Sequence, residues 1–506
     1  MRPPLNAESC LLSIHSVFSK NTMTTCSPNS HIVDSRFHSG GYTTPEARQV
    51  FCDIRRYQRW LDVEAALAMA MAGLDVIPLA IAENIQQNAQ ISMFDLAEIQ
   101  AGLRVTNHSL MPLLAALRNA CGKEAGQFIH FGATTQDIQD TAQVLELRDI
   151  IAIVERDLCG IVRLLIQRAT QHEDLVMIGR THCQHALPMT LGLKMAGWLD
   201  ETWRGVERLQ EMKKRVLVSQ LFGGVGTMDA FGERALPLLA EFSVRLGLEP
   251  PNTAWHASRD RFAEYLSVLA LISGSLARIA DEIRCLARNE IGEMEEPFHL
   301  GKIGSSTMPH KRNPELCEQV VVLAKLIKAQ AMLGYEGLLC EHERDYRSVR
   351  VEWAALTDAS LYICGLLQMM QHILRDMIVH EGCVRENVLR AAPLISSEAL
   401  MFFIGAKIGK ENAHALVYEV SMEAVESGRP VLDLLMERPE VAGRFARKEI
   451  EQAILPEKHV GMAKELSRQT VEHVKARMRE LGGSPAQHSQ VCPLRIEGKG
   501  LCQMEC

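Results

Sequence analysis

The sequence predicts an all-α fold: three helical domains with a central bundle of long helices. Between about Thr134 and Val379, several segments of roughly 25 residues keep their apolar side chains at helical spacing. Only brief Gly or Pro interruptions separate these segments. The clearest stripe is Phe262, Leu266, Leu269, Ile272, Leu276, Ile279, Ile283 and Leu286, which steps by three or four residues without a break. That is the repeat of a helix packed along its whole length.

In chain order, residues 1–40 read as a disordered extension, rich in Ser, Thr and Asn and poor in charge, with Met23 as an alternative start. Residues 41–138 read as an N-terminal helical domain of short helices, as in Trp60-Leu61-Asp62-Val63-Glu64-Ala65-Ala66-Leu67. Residues 139–383 read as the central bundle. Segments 142–169, 189–218, 262–286, 315–338 and 353–379 supply about five antiparallel helices, able to pack together and with copies from other subunits. At 1.5 Å per residue the third of these runs about 36 Å. Arg278, Asp281 and Glu282 fall off its stripe, which argues for a packed helix and against a membrane span. Residues 384–482 read as a C-terminal helical domain with Gly428-Arg429-Pro430 as a breaker, and 483–506 as a disordered tail holding Cys492, Cys502 and Cys506.

Composition narrows the function classes. With 47% hydrophobic and 23% charged residues in 506, the chain has the balance of a globular protein with a sizeable core. A net charge of -8 and a pI near 6.2 exclude a general nucleic-acid binder, while a local basic patch remains open for a small anion. The fourteen cysteines contain no Cys-x-x-Cys pair, so no zinc framework follows, and Cys159, Cys285 and Cys364 sit in apolar helical patterns as small buried thiols. A reducing cytoplasm fits that usage. No uninterrupted apolar run reaches the ~18 residues of a membrane span, and the first residues lack a secretory signal's apolar core.

Residues 304 to 314 read Gly-Ser-Ser-Thr-Met-Pro-His-Lys-Arg-Asn-Pro. Gly304 frees the backbone, Pro309 and Pro314 block helix continuation, and Ser305, Ser306, Lys311 and Asn313 are thereby displayed on a loop. An ordinary linker does not stack a serine pair, His-Lys-Arg and Asn between long helices. Two further polar blocks interrupt the helical pattern: His130-Phe131-Gly132-Ala133-Thr134-Thr135-Gln136-Asp137 and Gly179-Arg180-Thr181-His182-Cys183-Gln184. Thr134, Thr135 and Gln136 precede a helix starting near Asp137, a natural place to hold a carboxylate, although Asp137 is equally suited to capping that helix. His182 lies in a polar break between two apolar helices, with His185 close by.

The three blocks, in this order, resemble the aspartase/fumarase superfamily, whose loop has the form Gly-Ser-Ser-x-Met-Pro-x-Lys-x-Asn-Pro. The resemblance spans roughly residues 40 to 480. It implies a homotetramer with a twenty-helix core in which three subunits each give one block to every active site. It also implies elimination next to a carboxylate, with no metal or organic cofactor and a small anionic dicarboxylate or tricarboxylate as substrate. Ser305 matches the base, Lys311 and Asn313 the residues that hold the carboxylate and its enolate-like intermediate, and His182 the acid of the adenylosuccinate-lyase branch. Ser306, Thr134, Thr135, Gln136, Thr181, Gln184, His108, Arg259 and Arg344 match substrate-binding positions.

The branch is left open. Adenylosuccinate lyases usually have Asp where Ser109 follows His108. After Glu343-Arg344-Asp345 they have a serine pair for the nucleotide phosphate where this chain has Val349 and Arg350. Val351-Glu352-Trp353 and Trp255-His256 look more like the 3-carboxy-cis,cis-muconate cycloisomerases, whose Gly-x-Trp element is missing. Arg347 and Arg350 suit a small polyanion, which keeps nitrosuccinate lyases in view. The leading expectation is fumarate release by β-elimination from a succinyl-type substrate. The alternatives are a lactonising cycloisomerase and a non-catalytic structural protein on the same fold.

Overall fold

A computed structural model describes residues 30–299 and 301–483. The expectations for the tail beyond 483 and for Met23 lie outside those residues. Short helices come first: α1 (Pro45–Val50), α2 (Asp53–Gly73), α3 (Leu79–Asn88), α4 (Leu96–Thr106) and α5 (Met111–Gly126). Two of these starts, those of α1 and α4, follow capping chemistry. Thr44 accepts the Ala47 N–H with Pro45 at the first helical position, and Asp95 accepts the Ala97 N–H.

Five long helices follow: α6 (Thr135–Gln171), α7 (Leu191–Val216), α9 (Asp260–Leu286), α10 (Glu315–Glu336) and α11 (Tyr346–Asp376), with the shorter α8 (Ala235–Leu246) between α7 and α9. α6 packs against α7 and α11, and α9 packs against α7, α10 and α11. All eight residues of the Phe262 to Leu286 stripe are buried. Helix α9 is long and apolar enough to cross a membrane, as is the stretch Glu381–Ile408, but the stripe of α9 is covered by its bundle neighbours. Gly334 permits a close crossing of α10 over α9, since a Cβ there would stand 2.6 Å from a Leu266 methyl.

The remaining helices are α12 (Glu381–Ile395), α13 (Ser397–Ile408), α14 (Lys410–Ser427), α15 (Val431–Met436), α16 (Arg447–Ala453) and α17 (Ala463–Gly483). α13 to α16 enclose a small apolar core of their own, including Leu400, Ile404, Val420, Leu435 and Phe445. α14 ends at Gly428 in the left-handed region, as the breaker predicts. α17 returns to pack on α7, placing Val471 and Val474 in the main core.

Two expectations need correction. Residues 30–40, read as part of a disordered extension, form two 3-10 turns at Ile32–Asp34 and Ser39–Gly41; Val33 is buried, and His31 lies 3.4 Å from Asp358 of α11. Buried Val33 and the His31–Asp358 contact join this segment to the body of the protein. The break around His182 lies between two strands, β1 (Val176–Thr181) and β2 (Gln184–Thr190), paired antiparallel. Val176, Ile178, Thr181 and Thr190 are β-branched residues suited to a pleated surface. Thr190 then caps α7 by accepting the Leu193 N–H. A second small ladder pairs β3 (Met294–Glu295) with β4 (Ile378–Val379).

Candidate active site

Three groups of polar residues correspond to the three sequence blocks. The first gathers at the start of α6. Thr134 is its N-cap, with Asp137 accepting the Thr134 N–H at 2.9 Å. The Thr134 hydroxyl accepts from Arg344 at 2.5 Å, and the Thr135 hydroxyl faces His108 Nε2 at 3.5 Å. His108 Nδ1 accepts the N–H groups of Leu110 and Met111, which places the ring proton on Nε2. Thus Thr134, Thr135, His108 and Arg344 come together at a helix N-terminus, presenting donors to an anion.

The second group is the loop 301–314. The Ser305 hydroxyl oxygen accepts the N–H groups of Thr307 at 3.3 Å and Met308 at 3.1 Å, the partial positive environment that stabilises a developing alkoxide. Asn313 donates its amide to the Gly304 carbonyl at 2.7 Å and closes the loop on itself. Gly304 is required for that closure, because a Cβ there would lie 2.3 Å from the Lys311 carbonyl oxygen. Ser306 and Lys311 are exposed, and among the described residues Lys311 has no carboxylate partner. A strand of acids holds the loop. Glu296 bonds Lys302 at 2.7 Å and the Cys317 N–H at 2.9 Å, and Glu295 takes Arg312 at 3.0 Å.

The third group is the tip of the β1–β2 hairpin. Thr181 pairs with Gln184, leaving His182 and Cys183 as the two turn residues, at φ of 50° and 64°. Two-residue turns of this hand favour Asn and Gly, so a His-Cys tip is strained and aims an exposed imidazole outward. His185 instead sits on β2 opposite Arg180, and its basicity is lowered first by burial and then by the Arg180 charge. Arg180 itself makes a two-pronged pair with the buried Glu293 at 2.6 and 2.9 Å, anchoring the hairpin base.

The remaining predicted residues face inward. Gln136 is buried and donates to Asp140 at 3.0 Å and to the His256 carbonyl at 3.1 Å. The Arg259 guanidinium is fully buried, paired with Asp140 at 2.7 and 3.0 Å and with Glu352 at 2.9 and 3.0 Å, over the rings of Trp255 and Phe262. Burial pushes Glu352 up to about 7 despite Arg259. Asp137 accepts from His256 and from the N–H groups of Phe222 and Gly223 as well as Thr134, so it locks three segments under the first group.

Among the described residues no hydrogen bond or ion pair joins the serine loop, the hairpin tip and the Thr134 group to one another. Sequence reasoning missed Asp137 as a hub and Glu293, Glu295 and Glu296 as anchors. The signal for the anchors was three acids within four residues, just ahead of a basic loop.

A model of the lyase family matches residues 40–329, and one of the adenylosuccinate lyase C-terminus matches 393–470. The chain is 44% identical to N-acetyl-S-(2-succino)cysteine lyase of Dickeya dadantii, covering 86% of this chain and 95% of that protein. It is 37% identical to adenylosuccinate lyase of Pyrococcus abyssi, covering 88% and 98%. Its structure is similar to that of 3-carboxy-cis,cis-muconate lactonizing enzyme from Pseudomonas putida, with a TM-score of 0.81 at 32% identity, covering 88% of this chain and 100% of that one.

Proposed function

The chain belongs to the lyase family of the aspartase/fumarase superfamily, and on that premise we propose that it releases fumarate from a succinylated thiol of the N-acetyl-S-(2-succino)cysteine class. The observation that carries the chemistry is the Ser305 oxygen held against two backbone N–H groups, on the loop where Lys311 has no carboxylate partner among the described residues. A serine is a weak base in water, and this setting lowers the cost of its alkoxide.

In the proposed reaction Ser305 removes a proton from the succinyl CH2. The electron pair is held as an aci-carboxylate facing Lys311, then forms the C=C bond as the C–S bond breaks. His182 protonates the departing sulfur. The products are fumarate and the free thiol. Asn313, tied to the Gly304 carbonyl, keeps the loop in shape, and the Thr134, Thr135, His108 and Arg344 group takes the second carboxylate. We assign Arg259 and Gln136 to support of that group, without substrate contact, because their polar atoms are spent internally. A homotetramer in which three subunits complete each site accounts for three unconnected groups in one chain. Exposed Val322, Met332, Tyr335 and Leu339 along and just beyond α10, with Leu271 of α9, are the apolar surface available for it.

A small leaving group is favoured over a nucleotide by the start of α11. Where a phosphate-binding serine pair is expected, Val349 is buried; neighbouring Ser348 is also buried and donates to the Leu339 carbonyl at 3.4 Å. Arg350 has no carboxylate partner among the described residues and lies over the rings of Tyr346 and Trp353 at 4.5 and 5.7 Å, a cation suited to a carboxylate-bearing thiol.

The test is product analysis with N-acetyl-S-(2-succino)cysteine, adenylosuccinate, nitrosuccinate and 3-carboxy-cis,cis-muconate, beside a Ser305→Ala control. Fumarate and thiol formed only by the intact protein from the first substrate support the reading. Preference for another succinyl compound, lactone formation, or silence on all four refutes it. Those outcomes favour respectively another lyase, the cycloisomerase and the structural protein.

A further inference from the structure

The segment just before the serine loop sorts the loop's charges. Glu296, 4% exposed, takes Lys302 and the N–H of Cys317 at the far end of the loop. Glu295 takes Arg312 Nη1 at 3.0 Å and His380 Nε2 at 2.8 Å, and the Arg312 guanidinium lies 4.7 Å from the centre of the Phe298 ring. Both cations are exposed, Arg312 with 52% of its side chain open, and pairing is what separates them: Arg312 is met by residues 14 and 17 positions upstream, while Lys311 has no carboxylate partner among the described residues.

Two adjacent cations on one loop are not equivalent as anion receivers. A guanidinium grips a carboxylate with two parallel hydrogen bonds, whereas an ammonium acts as a point charge. If both faced the substrate, Arg312 would win the ground state and hold the carboxylate one residue away from the position set for Ser305. Tighter binding of the ground state alone slows turnover.

We propose that Glu295 is a positioning residue whose pairing turns Arg312 aside so that Lys311, not Arg312, receives the substrate carboxylate. The assignment rests on the reading of the 304–314 loop as the catalytic one. It makes Arg312 a residue whose capture matters more than its presence.

The experiment measures kcat and KM for fumarate release by the full chain carrying Glu295→Gln, Arg312→Gln, both together, or His380→Gln. Gln at 295 keeps volume and one carbonyl acceptor, removes the charge and replaces the second acceptor oxygen by an NH2 donor. The expected result is that Glu295→Gln lowers kcat by about tenfold to a hundredfold and lowers KM with it. The double variant returns both values to within about threefold of the intact protein, and Arg312→Gln or His380→Gln alone changes kcat by less than about threefold. A merely structural Glu295 gives a different pattern: the double variant is as slow as Glu295→Gln, KM rises, or His380→Gln is equally damaging. Any of these overturns the proposal. Should Glu295→Gln fail to fold, Glu295→Asp with and without Arg312→Gln carries the same suppression test. The loop reading fails separately, by Ser305→Ala turning over like the intact protein, and takes the proposal with it.

Discussion

Replacing Arg259 by methionine separates a structural arginine from a substrate-binding one. The side chain is fully buried between Asp140 and Glu352, which are themselves inaccessible. Breaking a buried pair by removing one partner costs about 3 to 5 kcal/mol, because a charge is left without compensation. Two features of the structure reduce the loss. Glu352, already pushed up to about 7 by burial, takes a proton at little cost at neutral pH. Asp140 keeps the amide donors of Gln136 at 3.0 Å and Gln220 at 2.6 Å. Methionine also recovers part of the apolar contact with Trp255 and Phe262. The expected loss is therefore about 3 kcal/mol, the low end of that range. Urea unfolding of Arg259→Met, read as a shift of the midpoint at constant slope, measures it beside the KM of the fraction that stays folded. Stability changed by less than about 1 kcal/mol, with KM raised more than about tenfold, would refute the argument and return Arg259 to the substrate.

Three further outcomes are expected. Gly304→Ala places a Cβ against the Lys311 carbonyl oxygen and opens the loop closed by Asn313, so kcat falls by about a hundredfold while the melting temperature barely moves; a kcat within about threefold of the intact protein would contradict this. His182→Gln is expected to slow release of an alkyl thiol by about tenfold or more, and of an aryl thiol that leaves as its anion by much less; equal losses across a series of thioethers would remove His182 from the role of acid. For Glu352, the folded protein holds the proton up to about pH 7 whereas the unfolded chain releases it near the ordinary carboxylate value of 4.5. Its contribution to stability is present at low pH and is lost as pH rises through that window. Glu352→Gln is expected to flatten the dependence of melting temperature on pH there, and an unchanged slope counts against a raised Glu352.

The long helices were legible because a buried helix repeats its contacts every three or four residues, and α9 buries each member of the Phe262 to Leu286 stripe. The hairpin was not legible. Six- and seven-residue strands beside helices such as the 37-residue α6 give too few repeats to show their period, and neither His182 nor Cys183 has the left-handed preference that advertises a tight turn. The serine loop was legible from Gly304, the serine pair and the prolines, since backbone freedom and helix breaking are local properties.

By itself, the sequence determined the all-α class, the order of the long helices and the identity of the three polar blocks, because periodicity, capping and turn chemistry act over a few neighbouring residues. Only the tertiary structure decided which charges are spent. Arg259 meets Glu352 across 93 positions, Arg180 meets Glu293 across 113, and Arg344 meets Thr134 across 210, while Lys311 is left without a carboxylate partner among the described residues. An ionisable side chain carries no local mark of its burial or its partner. Those are set by how distant helices pack, and that packing separates a cation left exposed from one that holds the fold together.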